Sequence, residues 1–263
     1  MIDILFSGCS FTAGAGLEKS KNNPSHYTNV MSNKLFGDAA TITNIGIGGN
    51  SNLQIFLDTS TEIIQKQYKF VFVGWTGYPR YVFWPGLEEY ECRKSINGNS
   101  SIIGKHNGND NSFTEDFLQD FKNKFLLLNN DHYSILDIVK YVNILKNIAE
   151  NKGTTIYFLN NLCFWDNNYF NEIKDPLPSN LTPYTNKILN SEHRDDIQIK
   201  NLYNKIHNDY KSVGGIQQNN WLNLYNSFVS LSKDIGNDNE HPGVISHQYY
   251  GNFLALKFKE LNN

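Results

Sequence analysis

Short continuous apolar runs alternate along the chain with longer segments in which apolar residues recur every three or four positions. The runs are typical of strands buried on both faces of a parallel sheet, and the longer spacing is typical of helices. The predicted strands are Ile2–Ser7, Thr41–Ile45, Lys69–Trp75 and Thr154–Leu159. The predicted helices cover about Ser25–Leu35, Leu53–Gln67, Ser134–Asn151 and Ser246–Leu261. This alternation predicts an α/β domain with a parallel sheet.

Two stretches interrupt the alternation, at about residues 77–130 and 163–233. Both are rich in aromatic and polar residues, and we interpret them as insertions over one end of the sheet. The sequence contains neither an internal repeat nor a Pro/Ser-rich linker. We therefore expect residues 1–263 to form a single domain.

Charge and composition narrow the class of protein. The 263 residues include 23 Lys and Arg against 26 Asp and Glu, a formal charge of -3, which argues against a dedicated nucleic-acid binder. The 38 asparagines predict many loops, and we interpret their excess as compositional bias. Three scattered cysteines, with neither a signal peptide nor a membrane-length apolar run, predict a cytoplasmic protein without a membrane partner.

Candidate chemistry lies where the predicted strands end, because ligands of open α/β sheets bind beyond the carboxyl ends of the strands. Ser10 follows the first strand, at a turn where a hydroxyl and an unpaired helix N–H are both available. A glycine of the pair Gly48-Gly49, after the second strand, can offer another N–H without a side chain in the way. A nucleophilic serine also needs a base and an orienting group, and Asp238 and His241 supply both within one turn.

Three short motifs carry a resemblance to a known family. They are GCSFTAG at residues 8–14, NIGIGGN at residues 44–50 and DNEHP at residues 238–242. In this order and spread they resemble the first, second and last blocks of the SGNH (GDSL-type) hydrolases. Small asparagine-rich chains of this kind also resemble those found in phage genomes. The resemblance covers the predicted α/β framework and leaves out the two insertions.

The resemblance implies a three-layer α/β/α (flavodoxin-like) fold with a mainly parallel sheet of about five strands. It implies a serine esterase without cofactor or metal that acts on a small-molecule or glycan ester. Ser10 would be the nucleophile, His241 the general base and Asp238 its orienting group. The backbone N–H groups of Ser10 and Gly49 would hold the oxyanion.

The chain departs from the family pattern at two places. Cys9 stands where the family usually has Asp, which leaves the serine chemistry intact. Thr76 stands where the family has an Asn that donates to the oxyanion, and we expect the Thr76 hydroxyl to take this role or Arg80 to replace it. Trp75 and the aromatic residues after it are candidates for the wall of the substrate pocket.

Other interpretations stay open from the sequence alone. Ser10 can be a helix N-cap, and Asp238 and His241 can be residues of a surface loop. The spacing of acidic residues and histidines from Asp234 to His247 fits neither a calcium loop nor a zinc protease motif. Residues 46–49 lack the full dinucleotide fingerprint. At the level of function, an acyltransferase or an inactive binding module remains an alternative to the esterase.

Overall fold

The structure is a computed structural model, and it describes residues 1–76, 80–83, 94–97, 100–103, 131–161, 220–223 and 227–263. Four of its strands are β1 (Ile2–Gly8), β2 (Ala40–Asn44), β3 (Phe70–Trp75) and β7 (Thr155–Asn160). They form a parallel sheet in the order β2-β1-β3-β7. The α/β class and the parallel sheet predicted from the sequence are confirmed.

The helices of the described residues are α1 (Ser10–Ala13), α2 (Tyr27–Phe36), α3 (Asn52–Gln65), α4 (Asp131–Asn151) and α5 (Val244–Asn262). Helix α2 packs against α5, and α3 packs against α4. Phe258 of α5 contacts the ring of Phe72, while Tyr141 of α4 stacks on Trp75. Side chains of neighbouring residues along a strand point to opposite faces, and Phe72 and Trp75 are an odd number of positions apart. The two helix pairs therefore cover opposite faces of the sheet and form three layers. None of the helices in these ranges is long and apolar enough to cross a membrane.

Aromatic residues fill much of the core between the sheet and the α2–α5 pair. Phe6 and Phe72 stack with their ring centroids 4.9 Å apart, and Phe72 stacks on Tyr157 at 5.5 Å. Phe6 and Phe72 are fully buried, and each such side chain contributes about 1.5–3 kcal/mol of hydrophobic stabilisation. The continuous apolar runs of the sequence thus correspond to strands covered on both faces.

The two segments interpreted as insertions are described only in part. Within the first, β4 (Arg80–Phe83), β5 (Lys94–Asn97) and β6 (Ser100–Ile103) form a separate antiparallel sheet. In the second, Trp221 is buried and forms a parallel bridge to Phe158 of β7, at the place where a fifth strand would lie. This part of the second segment therefore belongs to the α/β framework. The other residues of both segments lie outside the described residues.

Candidate active site

The turn that follows β1 presents Ser10. The chain leaves the strand through Cys9, whose backbone is extended, and enters the short helix α1 at Ser10. Gly14 then ends this helix in the left-handed conformation with φ of 78°, which favours glycine because a β-carbon is crowded there. Ser10 is therefore the first residue of a helical turn, where the backbone N–H has no partner within the helix.

Ser10, His241 and Asp238 form a continuous hydrogen-bonded series. His241 Nε2 lies 2.9 Å from Ser10 Oγ, and His241 Nδ1 lies 2.7 Å from Asp238 Oδ2. Because a carboxylate only accepts, Nδ1–H donates to Asp238, which leaves Nε2 of the neutral ring free to accept the Ser10 hydroxyl proton. This order, from hydroxyl to imidazole to carboxylate, is the one that acyl transfer by a serine nucleophile requires.

Asp238 also shapes the loop that carries His241. Its Oδ1 accepts the backbone N–H of Glu240 at 3.1 Å and that of His241 at 3.0 Å. Desolvation raises the pKa of Asp238, but these two backbone bonds and the interaction with the His241 ring outweigh it and lower the pKa below its usual value. The carboxylate therefore stays charged while one oxygen holds the ring and the other holds the backbone.

The loop with Asp238 and His241 docks directly on the turn that follows Ser10. The backbone N–H of Asn237 donates to the Gly16 carbonyl at 2.9 Å. A β-carbon at Gly16, where φ is +84°, would lie only 3.0 Å from the His241 β-carbon and 3.2 Å from Asp238 Oδ1. Sequence reasoning missed this contact, although Gly16 is the third glycine in the run after the first strand. We name residues 234–243 the base loop.

Asp234 anchors the other side of the base loop to helix α5. Its Oδ1 accepts the backbone N–H of Ser246 at 2.7 Å, and its Oδ2 accepts that of Ile245 at 3.0 Å. Desolvation raises the pKa of Asp234, but the bonds from Ser246 and Ile245 together lower it. This carboxylate therefore caps α5 from outside the helix.

Within the described ranges, no group of three or more His, Cys, Asp or Glu side chains is arranged to hold a metal ion.

The loop after β2 lies against helix α1, which we name the nucleophile turn because Ser10 is the candidate nucleophile. Asn44 Nδ2 donates to the Thr12 carbonyl at 2.8 Å, and Asn44 Oδ1 accepts the Gly46 N–H at 2.9 Å. A β-carbon at Gly46 would lie 2.6 Å from the Thr12 carbonyl carbon. Gly49 follows with φ of +79° and is buried. Within the described residues, the N–H groups of Ser10 and Gly49 donate to no backbone carbonyl.

The remaining candidate site residues are Trp75, Thr76 and Arg80, and the first two lie at the end of β3. The Asn52 side chain accepts the Thr76 N–H at 2.9 Å and donates to the Thr76 carbonyl at 3.0 Å. The Thr76 side chain is fully buried, and its Oγ1 has no hydrogen-bond partner in the described part of the chain. Trp75 is a core residue that stacks on Phe158. Arg80 begins β4, and its side chain lies outside what the structure describes.

Two buried histidines lie behind the nucleophile turn. His26 lies with Nε2 3.2 Å from the Phe11 carbonyl and Nδ1 2.7 Å from Thr28 Oγ1. Since a carbonyl only accepts, the His26 Nε2–H donates to Phe11 and Nδ1 accepts from the threonine. Burial lowers the pKa of His26 to about 4. Burial, reinforced by the nearby His26, lowers the pKa of His247 to about 2, so both rings are neutral near neutral pH.

Comparison with solved structures finds similar proteins over nearly the whole chain. A lipolytic protein of the G-D-S-L family from Desulfitobacterium hafniense DCB-2 is 11% identical, with a TM-score of 0.42, over 98% of this chain and 99% of that chain. The acetyl xylan esterase AlAXEase is 13% identical, with a TM-score of 0.43, over 98% of both chains. The psychrotrophic esterase EstA from Pseudoalteromonas sp. is 13% identical, with a TM-score of 0.43, over 100% of both chains.

Neither a family model nor a curated protein matches the chain. The protein from Desulfitobacterium hafniense is named as a G-D-S-L protein, which is the type of protein that the three sequence motifs resemble. At these identities and TM-scores, however, the function has to be argued from the chemistry of the site itself.

Proposed function

We propose that this protein is a serine esterase of the SGNH type, which cleaves an acyl or acetyl ester through an acyl-enzyme. The observation that carries the proposal is the continuous series of hydrogen bonds, 2.9 Å from Ser10 Oγ to His241 Nε2 and 2.7 Å from His241 Nδ1 to Asp238. A serine that only caps a helix needs no hydrogen bond between its hydroxyl and a histidine. A histidine that only belongs to a surface loop needs no hydrogen bond to a buried serine. The combination fits nucleophilic catalysis better than either structural role.

In the first half-reaction, His241 Nε2 takes the Ser10 proton while Oγ bonds to the ester carbonyl carbon. The tetrahedral intermediate then collapses, the bond from carbon to the alcohol oxygen breaks, and His241 gives its proton to the departing alcohol. In the second half-reaction, water loses a proton to His241 and attacks the acyl-enzyme, which releases the carboxylic acid and returns the proton to Ser10. Asp238 stabilises the charged His241 ring in both halves.

Charge on the carbonyl oxygen would be stabilised by the backbone N–H groups of Ser10 and Gly49. We propose the Thr76 hydroxyl as the third donor, in place of the family's asparagine. In support, Asn52 holds the backbone of Thr76 by two hydrogen bonds, and the Thr76 hydroxyl has no partner within the described residues. Arg80 is the other candidate for this role. Loss of one such donor typically lowers the rate by about 10²–10³.

The proposed substrate is a small acyl ester or an acetyl ester on a glycan. The small negative net charge, -3 over 263 residues, is compatible with a neutral substrate. Arg80 remains a residue that we propose to contact the substrate, whereas Trp75, fully buried in the core against Phe158, does not fit this role. An acyltransferase would use the same acyl-enzyme, with an alcohol in place of water.

A binding module that has lost catalysis is the second candidate. The complete burial of Thr76 favours it, because a donor that solvent does not reach has to be uncovered before it meets a carbonyl oxygen. An active enzyme hydrolyses an ester substrate, whereas a binding module does not.

Hydrolysis of p-nitrophenyl acetate by the purified protein tests the proposal. We expect turnover that is lost in Ser10→Ala and strongly reduced in His241→Ala. Ser60→Ala is the matched control, because the Ser60 hydroxyl only bonds to the Phe56 carbonyl within α3. No turnover by folded wild-type protein, or equal turnover in Ser10→Ala, would contradict the proposed function and favour the binding module.

A further inference from the structure

We propose that Asn161 is a positioning residue for the nucleophile, acting through Thr12; this inference rests on the proposed esterase function. Asn161 follows β7 directly and is fully buried. Its Nδ2 donates to Thr12 Oγ1 at 3.3 Å. Thr12 lies two residues after Ser10 in the same helical turn. The contact therefore joins the nucleophile turn to a strand 149 residues further along the chain.

The sheet leaves room for this contact at two paired glycines. Gly8 of β1 and Gly74 of β3 are partners in the strand register. A β-carbon at Gly8 would lie 2.2 Å from Thr12 Oγ1, and one at Gly74 would lie 2.3 Å from Asn161 Nδ2. Real β-carbons do not come this close to other atoms. The Thr12 hydroxyl and the Asn161 amide thus fill the space above two positions that have no side chain.

Further hydrogen bonds fix both partners. Thr12 Oγ1 is also 2.9 Å from the Tyr27 hydroxyl of α2, and the Tyr250 hydroxyl of α5 donates to Asn161 Oδ1 at 3.4 Å. Burial raises the pKa of both tyrosines, so their hydroxyls stay protonated. The Asn161 N–H donates to the Trp75 carbonyl at 3.3 Å. The amide is therefore held at both ends and at its backbone, which makes it a rigid support.

The nucleophile turn needs such a support. Helix α1 has 4 residues, which is far below the length at which a helix is stable by itself. His241 reaches Ser10 from the base loop, so the distance between Oγ and Nε2 depends on how firmly the turn is held. A displacement of about 1 Å in a catalytic group costs roughly 100-fold in rate. Loss of the Asn161–Thr12 contact is therefore expected to slow acylation while the protein stays folded.

The test measures covalent labelling by a fluorophosphonate probe, with the maximal rate and the half-saturating concentration determined separately. We expect Asn161→Ala and Thr12→Val to lower the maximal rate about 10–100-fold with little change in half-saturation. Thr12→Ser keeps the hydroxyl and should stay within about threefold of wild type. Because the two residues act through one contact, the double variant should be no slower than the slower single variant.

Thr59→Val is the matched control. The Thr59 hydroxyl is equally buried, but it bonds to Ser7 on the face of the sheet that α3 covers. We expect this variant to lose stability in thermal unfolding without losing labelling rate. If Asn161→Ala does not fold, the labelling rates of Thr12→Val and Thr12→Ser test the same contact. These two variants differ in whether residue 12 keeps its hydroxyl, which is a much smaller change to the core.

The outcomes separate this inference from the proposed function. If the wild-type protein is labelled and either Asn161→Ala or Thr12→Val has the same maximal labelling rate, the positioning role alone is overturned. Rate losses that multiply in the double variant would overturn it as well. If wild-type protein is not labelled, or is labelled as fast as Ser10→Ala, the proposed function fails and the positioning role falls with it.

Discussion

Gly16→Ala tests whether the base loop owes its position to the turn after the nucleophile. The new β-carbon would meet the His241 β-carbon at 3.0 Å, where ordinary contacts are 3.4–4 Å, and Asp238 Oδ1 at 3.2 Å. To relieve the contact, the base loop has to move outward by about 0.5 Å. The hydrogen bond between His241 Nε2 and Ser10 Oγ, now 2.9 Å, would then stretch to about 3.4 Å, beyond its favourable range.

The expected consequence is a fall in kcat of roughly 10-fold to 100-fold, since a shift of about 1 Å in a catalytic group can cost 100-fold. Stability changes for a separate reason. Alanine in the left-handed conformation costs about 1–2 kcal/mol, and Gly16 has φ of +84°. The change in kcat therefore reports the displacement of the base loop, and the change in unfolding free energy reports the backbone strain at position 16.

Gly153→Ala is the matched control. Gly153 also has a positive φ, +64°, but a β-carbon there would meet only Gln67 Nε2, at 4.0 Å. Both variants should lose similar stability in urea unfolding, while only Gly16→Ala loses p-nitrophenyl acetate turnover. Equal turnover in the two variants would refute the reasoning that the base loop is positioned by its contact with Gly16.

Three further predictions follow from the site. Asp238→Asn should lower kcat about 10³–10⁴-fold, because an amide NH₂ facing Nδ1 favours the wrong tautomer of His241; unchanged kcat would contradict the orienting role. Thr76→Val should lower kcat about 10²–10³-fold if its hydroxyl meets the oxyanion, and an unchanged rate would exclude that role. Unfolding free energy from urea titrations should fall by roughly 3–4 kcal/mol between pH 7 and pH 5, because His26 and His247 stay neutral in the folded protein and take up protons when unfolded; a flat profile would contradict their buried neutral state.

The sign of this pH effect follows from the lowered pKa values of the two histidines. With folded values of about 4 for His26 and about 2 for His247, the unfolded chain binds more protons below its ordinary histidine pKa of about 6.5. The stabilisation is complete above that value and is lost as the pH falls towards the folded pKa values. Other charges act on His247 in both directions, since Asp234 raises its pKa and His241 lowers it. The lowered pKa of Asp238 contributes only at still lower pH.

The α/β framework could be predicted because its signals are local. Continuous apolar runs mark β1 and β3, and the three-to-four spacing marks α4. The residues Ser10, Asp238 and His241 could be proposed because each lies in a short motif at the end of an element. Their hydrogen bonds have the order that the motifs implied, and their catalytic roles stay predictions until activity is measured.

The supports of the site could not be predicted, because they join residues far apart in sequence. Asn161 contacts Thr12 across 149 positions, and no periodic pattern records such a pair. Asp234 caps a helix from 12 residues before Ser246, whereas cap motifs are read immediately before a helix. The close approach of Gly16 to His241 likewise depends on how two loops meet.

The asparagine content illustrates the same limit. We interpreted the excess as compositional bias, but several asparagines use both ends of the amide to close backbone hydrogen bonds. Asn52 does so at Thr76, and Asn223 does so at Asn160. Asn44 bonds to two backbone groups of different loops. Composition counts such residues without distinguishing them from those in surface loops.

The most direct test of the account is to locate the covalent adduct that a fluorophosphonate probe forms with the folded protein. Peptide mass spectrometry should find the adduct on Ser10, formed far more slowly in His241→Ala and absent in Ser10→Ala, because the 2.9 Å bond to Nε2 activates this hydroxyl. An adduct on a different residue, or none on folded wild-type protein, would contradict the claim that Ser10 is an activated nucleophile.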